Sequence, residues 1–481
     1  MITLRPFQAE LLDATRAALP EHRSVLLYAP PGAGKTVISA SMAAGAARKR
    51  RRVIFACHRR ELLMQTSRTF DHFDIQYGYI AASMPVNPFA SVQIASIDTL
   101  RNRYENHPCD LLVVDEAHLS GANTWTRIID HYRDAGAFVV GLSGSPCRLD
   151  GKPLKANFRH MVEGPQPAWL IDHGYLSRYR AFAPAQPDMT GIRVRAGDYV
   201  ADDLEAKFDR PSVIGDAVGA WRKFANGMRT VVYSFSVNHS KHVAATFEAA
   251  GIPAAHLDGT TGKTERQAAI NRFADGEIKI LSSVELLTTG FDLSAQVGRD
   301  VPIEAVSLLR PTKSLALAIQ MMGRGLRPKQ VPAILLDHAN VMRDHGLPDD
   351  HRVWSLDGVA STKKPGEATI PTCVCANCFG MFRPAYQCPH CGEVREVDGR
   401  KIKQVEGELS EIDIKALRDL DTARDVEFAK RQARIEEGMA KTVADLAVIA
   451  KARKYRVGWL VAKAKARGLP ITYNDAVRAM R

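Results

Sequence analysis

A glycine-rich turn, Pro31-Gly32-Ala33-Gly34-Lys35-Thr36, follows the apolar run SVLLYAP (24–30) and leads into a helical pattern. Glycines in such a turn let backbone N–H groups curl around phosphate oxygens at a helix N-terminus, where the peptide dipoles favour negative charge. Lys35 is expected to reach the β- and γ-phosphates of ATP, and the Thr36 hydroxyl to ligate Mg2+. Ala29 stands where the fuller GxxxxGK[ST] spacing has its first glycine. A second apolar run, Leu111–Val114, delivers Asp115-Glu116-Ala117-His118 at its C-terminal end. Ligands of open α/β sheets bind at such strand ends. Asp115 suits Mg2+ there, and Glu116 suits polarising an attacking water in phosphoryl transfer. A third group is thiol chemistry. Cys375-Ala-Asn-Cys378 and Cys388-Pro-His-Cys391 form two hooks separated by nine residues. Four thiolates satisfy tetrahedral Zn2+ and leave no open position, so the ion would be structural. Cys373 and His390 lie close by, and Cys373 in place of Cys375 is the alternative set.

These groups need a scaffold. Besides 24–30 and 111–117, the runs RVIFAC (52–57), SVQIAS (91–96) and FVVGLSG (138–144) read as buried strands with helical patterns between them. Near-continuous apolar strands alternating with helices mean a parallel sheet covered on both faces. Residues 150–210 lose the rhythm. It returns with TVVYSF (230–235), IKILSSV (278–284), AVSLLRP (305–311) and AILLDH (333–338), a second α/β unit. The predicted organisation is an ATP-binding domain over 1–165, a connecting segment over 166–210, and a second domain over 211–345. A zinc ribbon follows over 368–396 and a basic helical tail over 405–481. The last 41 residues hold ten Lys/Arg against Asp445 and Asp475, a difference of +8. Tyr455 and Trp459 interleave with those bases, which suits either stacking on a nucleic acid or the core of a solvated helix.

Composition sets the limits. With 481 residues, 46% hydrophobic and 25% charged, the chain is globular and multidomain, and whole-chain disorder is excluded. A formal charge of +12 favours an anionic partner. No apolar run approaches the roughly 20 residues of a membrane-spanning helix, and MITLRPFQAELL lacks the order of a secretory signal. Five of the eight cysteines fall within 373–391, which argues for a metal knuckle in a cytoplasmic protein and against a disulfide scaffold.

Taken in order, the motifs resemble those of superfamily 2 helicases. The phosphate loop, Asp-Glu-Ala-His, Leu142-Ser143-Gly144-Ser145-Pro146 and Gln320-Met321-Met322-Gly323-Arg324-Gly325-Leu326-Arg327 carry the likeness across residues 1–345. The resemblance implies two tandem RecA-like parallel-sheet domains. Leu4-Arg5-Pro6-Phe7-Gln8 looks like the adenine-sensing motif, with Arg5 and Gln8 as nucleotide contacts. Cys57-His58-Arg59-Arg60-Glu61-Leu62, Ser96-Ile97-Asp98-Thr99-Leu100 and Leu287-Thr288-Thr289-Gly290-Phe291-Asp292 look like strand-contacting motifs. They make His58, Arg59, Thr99, Thr288 and Thr289 candidates for nucleic-acid contact, with Ser236 a further candidate, and Gly290 and Asp292 candidates for the nucleotide, Asp292 at the ribose. Arg324 and Arg327, expected at i, i+3 on one helix face with Gln320 before them, would supply positive charge to the γ-phosphate across a domain cleft. The narrower likeness is to RadD-like bacterial ATPases and their phage-borne relatives, carried by LRPFQ, LLTTGFD, LLRPTKSLALAIQMMGRGLRP, LLDHAN and the cysteine hooks. Ser143-Gly144-Ser145 departs from the usual Thr-Ala-Thr but keeps both hydroxyls.

The implied activity is an ATP-dependent DNA helicase or translocase in recombination and repair, using ATP, Mg2+ and Zn2+. Its expected partners are single-stranded or forked DNA, with RNA open, and recombination or single-strand-binding proteins, with no membrane. Two alternatives stay open. One is an ATP-switched clamp that recruits other factors without unwinding. The other is the motor of a restriction-type nuclease, for which Pro187-Asp188 and Glu205-Ala206-Lys207 mimic a PD…ExK pattern. A truncation near Asn340 is expected to keep the motor.

Overall fold

The computed structural model describes residues 3–58, 60–120, 123–147, 153–183, 191–195, 198–209, 211–284, 293–357, 372–394, 442–453 and 455–480. The first lobe is a seven-stranded sheet: β1 (Ser24–Tyr28), β2 (Val53–Cys57), β3 (Tyr77–Ile80), β4 (Val92–Ser96), β5 (Leu111–Val114), β6 (Phe138–Ser143) and β7 (His160–Glu163). Their order is β3-β4-β2-β5-β6-β1-β7, and every pairing is parallel. Every residue of β1, β2 and β5 is buried, which explains why these segments read as unbroken apolar runs. Phe7, Ile38, Phe55 and Phe70 share the core on one face, and Trp125, Ile128, Tyr132 and Phe158 the core on the other. Because β6 lies between β5 and β1, Ser143 at its end falls between the phosphate loop and Asp115.

A second sheet follows the same logic. Its strands are β8 (Tyr179–Phe182), β11 (Thr230–Tyr233), β12 (Ala254–Leu257), β13 (Ile280–Ser283), β14 (Ala305–Leu308), β15 (Ala333–Asp337), β16 (Cys373–Val374) and β17 (Gly380–Phe382), with a small hairpin, β9 (Val194–Arg195) and β10 (Asp198–Tyr199), apart. The order is β12-β13-β11-β14-β15-β8-β17-β16. β8 comes from the segment read as connecting structure, yet pairs in parallel with β15 inside the second sheet. The cysteine ribbon continues that sheet, with β17 antiparallel to β8 through Met381 opposite Ala181. The two-sheet α/β architecture matches the expectation. The ribbon, however, is joined to the second lobe by a β-ladder.

Residues 346–357 form an ordered strap. Arg352 donates to the carbonyls of His345, Leu347 and Asp350, which holds the turn closed. Trp354 packs on Tyr28, the last residue of β1, with ring centroids 5.5 Å apart. Leu356 O accepts from Leu154 N at 2.9 Å. From the ribbon, Arg383 reaches Asp350 at 2.9 Å and Asp349 at 3.2 Å.

The C-terminal unit is described over residues 442–453 and 455–480, which form a small core of their own. Its described helices, Val443–Ala452, Val457–Ala466 and Tyr473–Met480, enclose Leu446, Leu460, Ala464 and Ala476. Thr442 and Asp445 cap the first of them reciprocally. Trp459 packs against that core and stacks near Tyr455 at 4.6 Å, with Lys463 over its ring. The rest of the expected tail, 405–441, lies outside the described residues.

Candidate active site

The phosphate loop turns on Gly32 and Gly34, both at φ +86°, where L side chains are strained. Space forbids a side chain as well: a Cβ on Gly34 would stand 2.5 Å from Gln8 Nε2, and one on Gly32 would stand 2.8 Å from Leu176 Cδ2. Gln8 is buried and braces the loop, donating to Ala33 O at 2.8 Å while its Oε1 accepts from Arg5 N at 3.0 Å. Arg5 lies over the Tyr175 ring at 5.2 Å. Lys35 opens the helix Lys35–Arg48 and its Nζ donates to Ala29 O at 3.2 Å. Burial pulls the Lys35 ammonium below its ordinary pKa, against the opposing pull of Glu116 and Asp115.

Beyond β5 the backbone bends sharply. Glu116 adopts φ +48°, a left-handed conformation that costs on the order of 1 kcal/mol for a residue with a side chain. Its N–H donates to Asp115 Oδ1 at 3.0 Å. Burial, then the neighbouring Glu116 charge, lifts Asp115 above the usual carboxylate range. For Glu116, burial is outweighed by His118, Lys35, Arg324 and His58, which hold it below the usual carboxylate range. His118 ties this corner together. Its Nδ1 faces Glu116 Oε2 at 3.5 Å and Ser143 Oγ at 3.4 Å, and its Nε2 faces Gln320 Nε2 at 3.1 Å. With Gln320 donating to Nε2, the ring proton sits on Nδ1 and is directed at Ser143 Oγ, whose own hydrogen goes to Ser145 O at 2.7 Å. Burial lowers the His118 pKa, which favours this neutral form.

Gln320 belongs to the second lobe, so His118 and Gln320 bridge the lobes. Gly323, on the same helix (Leu315–Gly325), abuts the phosphate loop: a Cβ there would lie 2.6 Å from Pro31 Cβ. Gly144, after β6, leaves room for Lys35, whose Nζ lies 3.0 Å from the position a Cβ would take. Gly144 and Gln320 line a cleft of about 570 Å3 together with Lys35, Thr36, Asp115, Glu116, Arg324 and Arg327. Arg324 is on the last turn of its helix, as expected. Arg327 is not: the helix ends at Gly325, and Pro328 disfavours helical geometry in the residue before it. Arg327 reaches the cleft from the loop, with its carbonyl accepting from Ser177 Oγ at 2.9 Å.

Several cleft residues went unpredicted. Arg68 and Thr69 face it from the helix Arg60–Asp71 and His72 from the turn that follows, and Ser294, Arg299 and Asp300 face it from the second lobe. Residues 65, 68, 69 and 72 are all polar and recur at i, i+3, i+4 and i+7, a spacing that marks one helix face. Among the expected strand contacts, His58 lies near Glu116. Thr99 and Ser236 sit at helix starts: Thr99 N donates to Ser96 Oγ at 3.3 Å, and Ser236 Oγ accepts from His239 N at 3.1 Å. Arg59, Thr288, Thr289, Gly290 and Asp292 lie outside the described residues, as do Pro187 and Asp188. Glu205 lies on the helix Ala201–Phe208 and accepts from Ser236 Oγ at 3.4 Å.

The ribbon cysteines converge. The Sγ atoms of Cys375, Cys378, Cys388 and Cys391 all lie within 4.8 Å of one another. Cys375 to Cys391 and Cys378 to Cys388 are each 3.7 Å. Four sulfurs at about 2.3 Å from a tetrahedral centre would be about 3.8 Å apart, so the donor set fits Zn2+. Cys373 instead stands on β16 opposite Phe382, outside the cluster.

Residues 1–148 match the family model for the type III restriction enzyme res subunit, and residues 212–329 match that for the helicase conserved C-terminal domain. A 51.5 kDa protein of Lactococcus phage (isolate 7-9) is 30% identical over 429 residues, covering 86% of this chain and 90% of the phage protein. The Saccharomyces cerevisiae protein named as an ATP-dependent helicase, IRC3, is 25% identical over 354 residues, covering 67% of this chain. The chain spans 49% of that relative's length. Among solved structures, the ATP-dependent Type ISP restriction-modification enzyme LlaBIII bound to DNA is alike in fold, with a TM-score of 0.54 at 16% identity over 70% of this chain and 28% of that one.

Proposed function

Since this chain belongs to the superfamily 2 helicases, we propose that it is a DNA-dependent ATPase that moves along or remodels DNA during recombination or repair. One observation carries the reading: the hydrogen bond between His118 and Gln320, which fastens the Asp-Glu-Ala-His corner to the helix bearing Arg324. The chemistry is divided between the lobes. The first lobe holds the phosphates with Lys35 and the loop N–H groups, and presents Glu116 to a water. The second lobe brings Arg324 and Arg327 to the charge that develops on the transferred phosphoryl group. Turnover therefore depends on lobe closure, and a strand bound across both lobes can set that closure.

Thr36 and Asp115 are the residues to hold Mg2+, which when bound neutralises phosphate charge. The four ribbon thiolates are the residues to hold a structural Zn2+. A phage relative matching most of both chains supports the phage-borne reading, and a fold neighbour described as bound to DNA supports DNA as the polymer. The test is ATP turnover by the full chain with single-stranded, duplex and forked DNA and with RNA, alongside strand displacement. DNA should stimulate hydrolysis, and Glu116→Gln should slow it by orders of magnitude while ATP still binds. A rate indifferent to every nucleic acid would refute the coupling.

A further inference from the structure

The N-terminal edge of the first sheet carries a feature that ATP hydrolysis leaves unused. β1, β2, β5 and β6 begin along this edge, while the phosphate loop and Asp115 lie at the opposite ends of the strands. A groove of about 820 Å3 opens there. Arg16 and Arg23 line it from the first helix and its cap, and Arg48, Lys49, Arg51 and Arg52 line it from the end of the helix Lys35–Arg48. Among the lining residues the only carboxylate is Asp110, held by the Arg52 backbone N–H at 2.8 Å and its guanidinium at 3.0 Å.

The cations come from an uninterrupted run, Arg48-Lys49-Arg50-Arg51-Arg52, and all five are exposed. A helix C-terminus favours a cation or two in its last turn, and five exceed that need. Arg50 adopts φ +56°, which reverses the chain and spreads the basic side chains around the helix end. No ion pair among the described residues engages Arg48, Lys49 or Arg51. Gly45 lets the two helices come together, since Arg16 Nη2 sits 3.0 Å from the position of a Cβ there.

We infer that this groove binds the phosphodiester backbone of a second stretch of nucleic acid, separate from the stretch handled by the motor motifs. Long exposed cations with few partners suit backbone neutralisation. The apolar floor favours this polymer over an acidic peptide. Leu19 and Met42 are only 7% and 4% exposed, which leaves little apolar surface for peptide side chains to cover. Strands of five residues span about 16 Å, so a backbone lying here does not compete with nucleotide in the cleft. A forked substrate offers such a second arm.

The inference takes from the proposed function only that nucleic acid is the polymer handled. Its test combines Arg48→Gln, Lys49→Gln and Arg51→Gln in the full chain. Affinities for forked DNA and for a short single strand are measured without ATP across a salt series. The fork should bind about tenfold more weakly, with a log-log salt slope shallower by about two to three, at roughly 0.9 per lost phosphate contact. The short strand, basal ATPase and melting temperature should be unchanged. An unchanged fork slope would overturn the inference. So would intact fork binding in a variant that loses affinity for a poly-glutamate peptide, or displacement of the fork by low millimolar inorganic phosphate. A shifted fork slope in a protein whose ATPase ignores DNA would uphold the groove and sink the proposed function.

Discussion

Gly323→Ala separates folding from catalysis at the lobe boundary. A Cβ at position 323 would lie 2.6 Å from Pro31 Cβ and 3.0 Å from Pro31 Cγ. Carbon atoms settle at about 3.5–4.0 Å, so the helix must retreat from the phosphate loop by roughly 1 Å. Arg324 is the next residue and retreats with it. A displacement of about 1 Å at a catalytic group can cost on the order of 100-fold in rate, equivalent to about 3 kcal/mol of barrier. Nucleotide affinity depends mainly on the phosphate loop of the first lobe and should change far less. In the helix itself, alanine is better than glycine by about 1 kcal/mol, so the second lobe should be as stable as before or slightly more so. The assay is kcat and KM for ATP at saturating DNA, with thermal melting as control. A melting temperature held or raised, a near-constant KM and a kcat down by about two orders of magnitude are expected. A kcat within twofold of wild type would show that the lobes do not need this contact during turnover.

Cys378→Ser should lower bound Zn2+ from about one per chain and, because β17 pairs with β8, should also loosen the second lobe, read as a lower second-lobe unfolding midpoint. The second lobe should also be acid-sensitive. Burial depresses His239 and His338 to about 4, so the stability each contributes is complete above about 6.5 and is lost as pH falls towards 4, up to about 3 kcal/mol apiece. Asp337, which burial raises to about 6, works the other way and returns up to about 3 kcal/mol over the same interval. A net loss of about 3 kcal/mol between pH 7 and pH 4 is expected in denaturant titrations, and His239→Phe should remove most of it; a flat profile in the wild type would contradict this. A chain ending near Asn340 would lose Trp354 from Tyr28 and Arg383 from Asp350, so it should be insoluble or inactive. A chain ending at residue 396 should keep basal ATPase, and an active, stable 1–340 fragment would show that the strap is dispensable.

The catalytic strands were legible because parallel strands buried on both faces leave unbroken apolar runs, and because their C-terminal ends carry the polar residues. The cysteine hooks were legible from spacing. Four-residue β8 was not, since YRAF has no length or alternation to mark it, and its partner β15 is far along the chain. The strap was hidden in the same way: Trp354 looks like a loop residue until Tyr28 is beside it. Arg327 could have been placed correctly, because Gly325 and Pro328 both end a helix. The bond between His118 and Gln320 joins residues 202 positions apart and has no local signature.

The interior position of β8 has a consequence for synthesis. During translation β8 leaves the ribosome well before β15 and β17, the two strands that flank it in the finished sheet. Until they emerge, the nascent chain exposes a short apolar strand with both edges unsatisfied, the kind of segment that pairs with wrong partners. Arg178 and Arg180 place charge beside and within it, and Arg180 lies over the Phe182 ring at 5.1 Å. Those charges discourage intermolecular pairing during the wait. The second sheet can close only after residue 382 is made, so the ribbon is the last piece of the motor to be laid down and the one that seals it.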